Sequence, residues 1–335
     1  MYSIIQKALF SQDPEWSHDF TIKSLRYTQN TLLDMAYRQQ VKDKPVELFG
    51  LHFKNPLGLA AGLDKNGECI DAFAAMGFGY IEIGTVTPRA QSGNDKPRMF
   101  RLPQGQAIIN RMGFNNKGVD NLVANVKRAR YKGVLGINIG KNKDTPEEAA
   151  LSDYVYCLQK VYELASYVTI NISSPNTPGL RNLQHGNALN SLLTGLKTEQ
   201  AKLAEKYKKY TPILVKIAPD LSESEIENMA NSLIVNGIDG VIATNTTLDR
   251  QTVIGQSNAE QAGGLSGAVL CDKSQYVATK LAQALDGAIP MIGVGGIHDA
   301  VSAKARLAAG SSLIQLYTAL IYQGPKVIKQ IVNAL

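Results

Sequence analysis

Short apolar segments rich in β-prone residues alternate along the chain with longer segments that have helical spacing. Eight apolar segments end in a polar or glycine-rich turn: 56–62, 80–86, 133–141, 167–176, 212–220, 240–247, 290–297 and 312–320. Between them, apolar residues recur three and four positions apart, as in Val119, Leu122, Val123 and Val126, a pattern typical of amphipathic helices. The segment VLGINI at 134–139 is apolar on both faces, which indicates parallel strands covered by helices.

A doubly wound sheet and a closed barrel both show this alternation, but eight strand–helix units favour the barrel. We therefore predict an α/β protein with a (β/α)8 TIM barrel over residues 46–335. Two connections, 86–116 and 247–274, are much longer than the ordinary loops of such a fold. Because both follow the end of a strand, we expect them over the mouth of the barrel, as a lid or a pocket wall rather than as plain loops.

Residues 1–45 precede the first barrel strand and match no strand–helix unit. Two apolar stripes separated by Asp13-Pro14 predict two short helices. The first stripe contains Ile4, Ile5, Ala8 and Leu9, and the second contains Phe20, Leu25, Leu32, Leu33 and Tyr37. This N-terminal helical segment either plugs the bottom of the barrel or presents an apolar surface to a lipid or a lipid-like ligand. The pattern alone leaves both interpretations open.

The composition is that of a folded globular protein, since 44% of the 335 residues are hydrophobic and 19% are charged. These fractions exclude collagen, coiled coils and disorder. No apolar run approaches the ~18 residues that span a bilayer, and the N-terminus lacks a secretory signal pattern, so we expect an intracellular protein. The cysteines, Cys69, Cys157 and Cys271, are too widely spaced for a metal or redox motif and are expected to be reduced.

The net charge of +6 is concentrated in residues 117–143, which carry seven basic side chains and a single acidic one, Asp120. A nucleic-acid stripe is one interpretation, but neither interleaved aromatic residues nor zinc-ligand spacing accompanies it. The pattern therefore favours a solvated helix face and no nucleic-acid partner. The basic balance also suits an anionic small substrate or a membrane surface.

The chemistry of a TIM barrel lies at the carboxyl ends of its strands. The predicted strand ends carry amides, hydroxyls and lysines, with Asp64 and Asp220 as their acidic residues and no histidine. This set argues against the carboxylate pair of a glycosidase and against a histidine-ligated metal, so we predict no metal site. The four histidines, His18, His52, His185 and His298, are scattered and are expected to be structural.

A glycine-rich turn at 293–297 closes the seventh predicted strand, and a second turn at 308–310 precedes the eighth, in the region where TIM barrels commonly bind phosphate. Lys65 and Lys216, at the ends of two other strands, are either solvated or point their charge into the barrel mouth. In the mouth, such a cation stabilises the negative charge of a reduced flavin. Five asparagines at strand and loop ends suit a flat heterocycle with C=O and N–H groups: Asn110, Asn138, Asn171, Asn176 and Asn245.

Long segments around these residues carry a family resemblance. They include NPLGLAAGLDKNGE at 55–68, INRMGFNN at 109–116, INISSPNTPGLR at 170–181 and IGVGGI at 292–297. Over essentially its whole length the chain resembles the dihydroorotate dehydrogenases, specifically the membrane-associated, quinone-using class 2 enzymes. The resemblance implies oxidation of dihydroorotate to orotate in de novo pyrimidine (UMP) biosynthesis, with FMN as hydride acceptor and a membrane quinone as final electron acceptor.

The resemblance also implies which residues form the site. Ser174 would be the catalytic base, and a serine in place of the cysteine of class 1 enzymes points to class 2. One FMN per subunit would be bound by Ala61, Gly62, Leu63, Asp64, Lys65, Thr85, Asn138, Asn171, Lys216, Thr244, Gly267, Gly296, Tyr317 and Thr318. Dihydroorotate would be bound by Lys65, Asn110, Arg111, Met112, Gly113, Phe114, Asn171, Asn176, Asn245 and Thr246. Tyr317-Thr318 departs from the Tyr-Ser of bacterial relatives but keeps the hydroxyl.

For residues 1–45 the resemblance implies a tunnel that admits ubiquinone or menaquinone, with His18, Arg101 and Tyr317 near the quinone head. It further implies a monomer bound peripherally to the cytoplasmic face of the cell inner membrane. Two rival functions stay open on the residues alone. One is a cytosolic flavin dehydrogenase with a soluble acceptor, and the other is a phosphate-binding barrel lyase or isomerase without flavin.

Overall fold

Eight parallel strands close into a barrel in the computed structural model, which describes residues 2–335. The strands are β1 Val46–Leu48, β2 Leu51–Phe53, β3 Leu57–Leu59, β4 Tyr80–Val86, β5 Met99–Leu102, β6 Ala107–Asn110, β7 Val134–Ile139, β8 Tyr167–Asn171, β9 Ile213–Ile217, β10 Gly240–Ala243, β11 Gly264–Gly267, β12 Met291–Val294 and β13 Ser311–Leu316. The helices are α1 Tyr2–Phe10, α2 Pro14–Thr28, α3 Ile70–Ala75, α4 Val119–Arg128, α5 Ala150–Val161, α6 Gly186–Tyr207, α7 Glu223–Val235, α8 Cys271–Leu285, α9 Ala300–Ala308, α10 Thr318–Gln323 and α11 Lys326–Ala334.

Each of the eight predicted apolar segments overlaps one barrel strand, and the strands are neighbours in the order β3-β4-β7-β8-β9-β10-β12-β13 before the barrel closes. The TIM-barrel prediction is therefore confirmed. The predicted segments run past the true strand ends, because the apolar residues of the following turns resemble strand residues. The last segment, 312–320, shows this most clearly: β13 ends at Leu316 and α10 begins at Thr318.

The β1–β2 hairpin closes the amino-terminal end of the barrel. Phe53 packs edge-on against Tyr80 inside the barrel, with ring centroids 5.1 Å apart. The strand glycine Gly58 leaves room for this packing, since a Cβ there would lie 2.3 Å from the Tyr80 ring. Phe49, in the hairpin turn, packs over Gly240 at the start of β10. Because the hairpin fills this end, the interpretation of residues 1–45 as a bottom plug is wrong.

Helices α1 and α2 instead pack beside the carboxyl end of the barrel. The Tyr2 hydroxyl donates to the carbonyl of Ile321 in α10 at 2.6 Å, and Phe10 packs edge-on against Tyr322. Asp13 caps α2 and Pro14 occupies its first turn, as the Asp13-Pro14 break predicts. The second predicted stripe is not one helix, because α2 ends at Thr28 and a 3-10 helix follows at Leu32–Ala36.

The two long connections form one antiparallel sheet in the order β11-β6-β5. Its central strand pairs Asn110 with Gly264 and Ala107 with Gly267. Residues of this sheet line the pocket at the carboxyl end of the barrel, as expected. None of the described helices is both long enough and apolar enough to cross a bilayer.

Candidate active site

A single pocket at the carboxyl ends of the barrel strands brings most of the predicted site residues together. Its lining includes the predicted residues Ala61, Gly62, Lys65, Thr85, Asn110, Met112, Gly113, Phe114, Asn171, Ser174, Asn176, Lys216, Thr244, Asn245, Thr246, Gly267, Gly296, Tyr317 and Thr318. They come from every barrel strand end except that of β7, together with β6 and β11. Residues far apart in the chain therefore meet because parallel strands end at one face.

The pocket floor is a hydrogen-bonded set of polar side chains. The Asn171 amide donates to the Thr85 hydroxyl at 2.9 Å, and that hydroxyl donates to Asn138 at 2.6 Å. Asn138 in turn donates to the fully buried Glu82 at 2.9 Å. Glu82 also accepts hydrogen bonds from Tyr167 and Gln315. These bonds fix the rotamers of the floor before any ligand binds.

Lys216 supplies a positive charge to this floor. It lies on β9 opposite Asn171 of β8 and is 5% exposed. Burial lowers the pKa of the Lys216 ammonium, and the negative charge of Glu82 opposes that decrease. Lys216 therefore brings a buried positive charge to the lining of the pocket.

Lys65, on the loop after β3, is the second cation of the lining. Burial lowers its pKa to about 8, while the nearby carboxylate of Glu15 opposes the decrease. On α2, burial and the charge of Lys65 lower the pKa of His18 to about 3, so that this imidazole is neutral at physiological pH. His18 thus lies close enough to Lys65 for their charges to interact. Arg101 donates to the carbonyl of Gln12, just after α1, at 2.8 Å. Their place near the quinone head stays a prediction.

Ser174 lies on the loop after β8 and is 6% exposed. Its hydroxyl accepts a hydrogen bond from the N–H of Asn176 at 3.2 Å. Arg181 holds this loop, since its guanidinium donates to the carbonyls of Ser173 and Thr246, each at 3.0 Å. Among residues 2–335, no carboxylate, imidazole or amine hydrogen-bonds to the Ser174 hydroxyl.

The opposite end of the pocket is built from glycines and hydroxyls at the ends of β11, β12 and β13. A Cβ on Gly296 would lie 2.2 Å from the Cα of Cys271, and one on Gly267 would lie 2.3 Å from the carbonyl of Gln106, so both positions need glycine. The Thr318 hydroxyl donates to that of Ser266 at 2.9 Å. Backbone N–H groups and hydroxyls at such an end fit a phosphate, and the amide floor with Lys216 fits a flavin ring.

Four predicted residues lie outside this lining. Leu63 is buried in the core, and Asn138 lies beneath the floor. The Asp64 carboxylate accepts the N–H groups of Glu68 and Cys69, and burial raises its pKa to about 6. Arg111 points away and donates to the carbonyl of Pro97 at 2.7 Å. The resemblance implies all four as ligand contacts, and these contacts stay predictions.

Gln315 lines the pocket, although it was not predicted. Gln315 lies two residues before Tyr317 in the chain. Because side chains two positions apart along a strand point to the same face, this spacing is the sequence signal that could have identified Gln315 as a pocket residue. Its Oε1 atom is buried without a hydrogen-bond partner. Ser266 and Leu270 are further lining residues that were not predicted, whereas Gly295 belongs to the predicted glycine-rich turn at 293–297.

A family model described as "Dihydroorotate dehydrogenase" matches residues 45–335. The chain belongs to the dihydroorotate dehydrogenase family. Among its relatives, the dihydroorotate dehydrogenase (quinone) of Pseudoalteromonas atlantica is 69% identical over 335 residues, which are 100% of both chains. That of Idiomarina loihiensis is 61% identical, again over 100% of both.

Solved structures of the family are also similar. The ferulenol complex of the Eimeria tenella DHODH has a TM-score of 0.88 and 37% identity, and the match covers 96% of this chain and 90% of that one. The predictions of the family, the fold and a quinone-type dihydroorotate dehydrogenase are thereby confirmed. The family is one of flavin-dependent dehydrogenases.

No group of three or more His, Cys, Asp or Glu side chains within residues 2–335 is arranged to hold a metal ion.

Proposed function

We propose that this dihydroorotate dehydrogenase oxidises dihydroorotate to orotate in UMP biosynthesis, using FMN and a membrane quinone. The observation that carries the proposal is the shared pocket, whose lining includes Ser174, two lysines, four asparagines and a glycine-rich end. A lyase or isomerase that binds only a sugar phosphate has no need of a buried lysine, Lys216, in the pocket floor.

FMN, when bound, supplies the hydride acceptor. The isoalloxazine ring is assigned to the floor, where Thr85, Asn171 and Lys216 offer a hydroxyl, an amide and a cation. The phosphate is assigned to Gly267, Gly296 and Thr318. Lys216 would stabilise negative charge on the bound ring, because its ammonium is held in a water-poor site.

Dihydroorotate is assigned to the amide wall above the floor. Asn110, Asn176, Asn245 and Thr246 present donors and acceptors to the C=O and N–H groups of the pyrimidine. Lys65 is protonated below a pH of about 8 and pairs with the substrate carboxylate. Ser174 accepts the proton from C5 as the hydride leaves C6.

Residues 1–45 are assigned as the quinone-access and membrane segment, and residues 46–335 as the catalytic domain. Large apolar side chains of α1, α2 and the 3-10 helix are exposed, among them Ile4, Ile5, Trp16, Phe20, Tyr27, Leu32, Leu33 and Met35. Such a surface suits peripheral binding to a bilayer, at the cytoplasmic face of the inner membrane. The quinone, ubiquinone or menaquinone, then reaches a monomeric enzyme through this segment.

Two measurements on the purified full-length protein test the proposal. The released cofactor should have the mass and absorbance of FMN, and turnover with dihydroorotate should require a quinone. Turnover with fumarate or NAD in place of a quinone would favour the soluble-acceptor rival. Colourless protein that gains no activity when FMN is added would refute the proposal.

A further inference from the structure

Arg306, on α9, is a fully buried cation that has no acidic partner among the described residues. Its exposed fraction is 0%, and the ion pairs found within residues 2–335 include none with this guanidinium. Burial lowers the pKa of Arg306 to about 10, so it stays protonated at neutral pH. A buried charge without a counter-charge is costly, so the site has an electrostatic reason to bind an anion.

The guanidinium lies directly behind the glycine-rich end of the pocket. Its Nη1 donates to the carbonyl of Val294 and its Nη2 to that of Gly295, both at 3.1 Å, while Nε donates to Gln275 at 3.0 Å. Space for the side chain comes from Gly293 in β12, where a Cβ would lie 2.4 Å from the Arg306 Cγ. The side chain therefore fixes the turn after β12.

The hydrogen bond to Gly295 also sets the direction of a pocket-facing N–H group. In a trans peptide the C=O and the N–H point in opposite directions. Because the Gly295 carbonyl points toward Arg306, the N–H of Gly296 in the same peptide points away from it, and Gly296 lines the pocket. A charged donor on the carbonyl also polarises the peptide and makes this N–H a stronger donor.

The described residues that line the glycine-rich end include no cationic side chain of their own. A flavin phosphate carries a charge of about −1.5 to −2 near neutral pH. We infer that Arg306 is a positioning residue for that phosphate: it orients the Gly296 N–H and supplies, from behind the turn, the positive charge that the lining lacks. The inference rests on the proposed use of FMN.

Comparison of FMN with riboflavin isolates the phosphate. Flavin-free full-length protein is titrated with each ligand by fluorescence quenching, in the wild type and in three variants. Arg306→Met removes the charge, Arg306→Lys keeps it, and Lys304→Met removes a neighbouring exposed charge of the same helix. Arg306→Met should lower FMN affinity at least about tenfold more than riboflavin affinity, because a charge-assisted interaction is lost. In Arg306→Lys and Lys304→Met, the ratio of FMN affinity to riboflavin affinity should stay within about threefold of the wild-type ratio.

If Arg306→Met lowered both affinities equally, the ratio of FMN affinity to riboflavin affinity would not change. Arg306 would then only stabilise the turn, and the inference would be overturned. If Arg306→Met does not fold, Arg306→Lys tests the inference instead. A lower ratio of FMN affinity to riboflavin affinity in Arg306→Lys than in the wild type would overturn it, because the lysine keeps the charge. Wild-type protein that binds neither flavin would overturn the proposed function itself, an outcome distinct from a failure of Arg306.

Discussion

Ser174 is the residue on which the proposed proton transfer depends. Its hydroxyl faces the pocket and accepts the Asn176 N–H. Ser174→Ala should lower the rate at which dihydroorotate reduces the bound flavin by about 10²–10⁴-fold, the usual contribution of a general base. Stopped-flow absorbance under anaerobic conditions measures this rate, with flavin content as the check on folding. Ser174→Cys should keep part of the activity because a thiolate also accepts the proton, and a near-wild-type rate in Ser174→Ala would exclude this role.

Lys65 should make substrate binding depend on pH. Since burial lowers its pKa to about 8, the cation is present below that pH and is lost above it, while the substrate carboxylate stays ionised. The dissociation constant of orotate should therefore rise as the pH increases through 8. Lys65→Met should bind orotate weakly at every pH and show no such transition. A wild-type constant that does not change across this range would contradict the pairing of Lys65 with the carboxylate.

At the level of elements, α2 is attached to the sheet beside the pocket by a buried ion pair. Arg98 donates to Glu15 at 2.7 Å and to the carbonyls of Ser92 and Asn94 at 2.6 Å. Burial acts to raise the pKa of Glu15, but the hydrogen bonds and charges of Arg98 and Lys96 outweigh it and hold that pKa below its usual value. The pair therefore stabilises the fold above the unfolded pKa of glutamate, and this contribution is lost as the pH falls.

Glu15→Ala should destabilise the protein by about 3 kcal/mol, because Arg98 is then buried without its partner. Urea unfolding at neutral pH measures this loss. The double variant Glu15→Ala, Arg98→Met should lose less free energy of unfolding than Glu15→Ala alone, because it leaves no unpaired charge buried. Equal stability of Glu15→Ala and the wild type would show that the pair is not a buried anchor.

The apolar surface of the same helices should deliver quinone. Trp16 and Phe20 stack with ring centroids 5.2 Å apart while about half of each side chain is exposed. Replacing both with Gln should lower vesicle binding and turnover with a long-chain quinone, but leave reduction of the flavin by dihydroorotate intact. Val235→Gln and Val301→Gln, at exposed apolar positions of α7 and α9, are the matched controls and should change neither. Full turnover in the double variant would contradict the assignment.

At the scale of the whole molecule, the barrel can be predicted from the sequence because its strands are buried on both faces and consist mostly of apolar residues. The β5–β6–β11 sheet is not, since four-residue strands pair across about 150 residues of chain, as in Asn110 with Gly264. Most pocket residues follow from their place at strand ends. Asp64 and Arg111 show the limit, because the direction of a loop side chain depends on its hydrogen-bond partners, which are the N–H of Cys69 for Asp64 and the carbonyl of Pro97 for Arg111.

The most direct test of the whole account is an anaerobic two-step experiment on the full-length protein with its flavin bound. Adding dihydroorotate should bleach the flavin absorbance and form orotate in an amount equal to the flavin, and a long-chain quinone should then restore the colour. Fumarate and NAD should leave the bleached protein unchanged. Flavin that dihydroorotate does not bleach, or that fumarate or NAD reoxidises while quinone does not, would contradict the account.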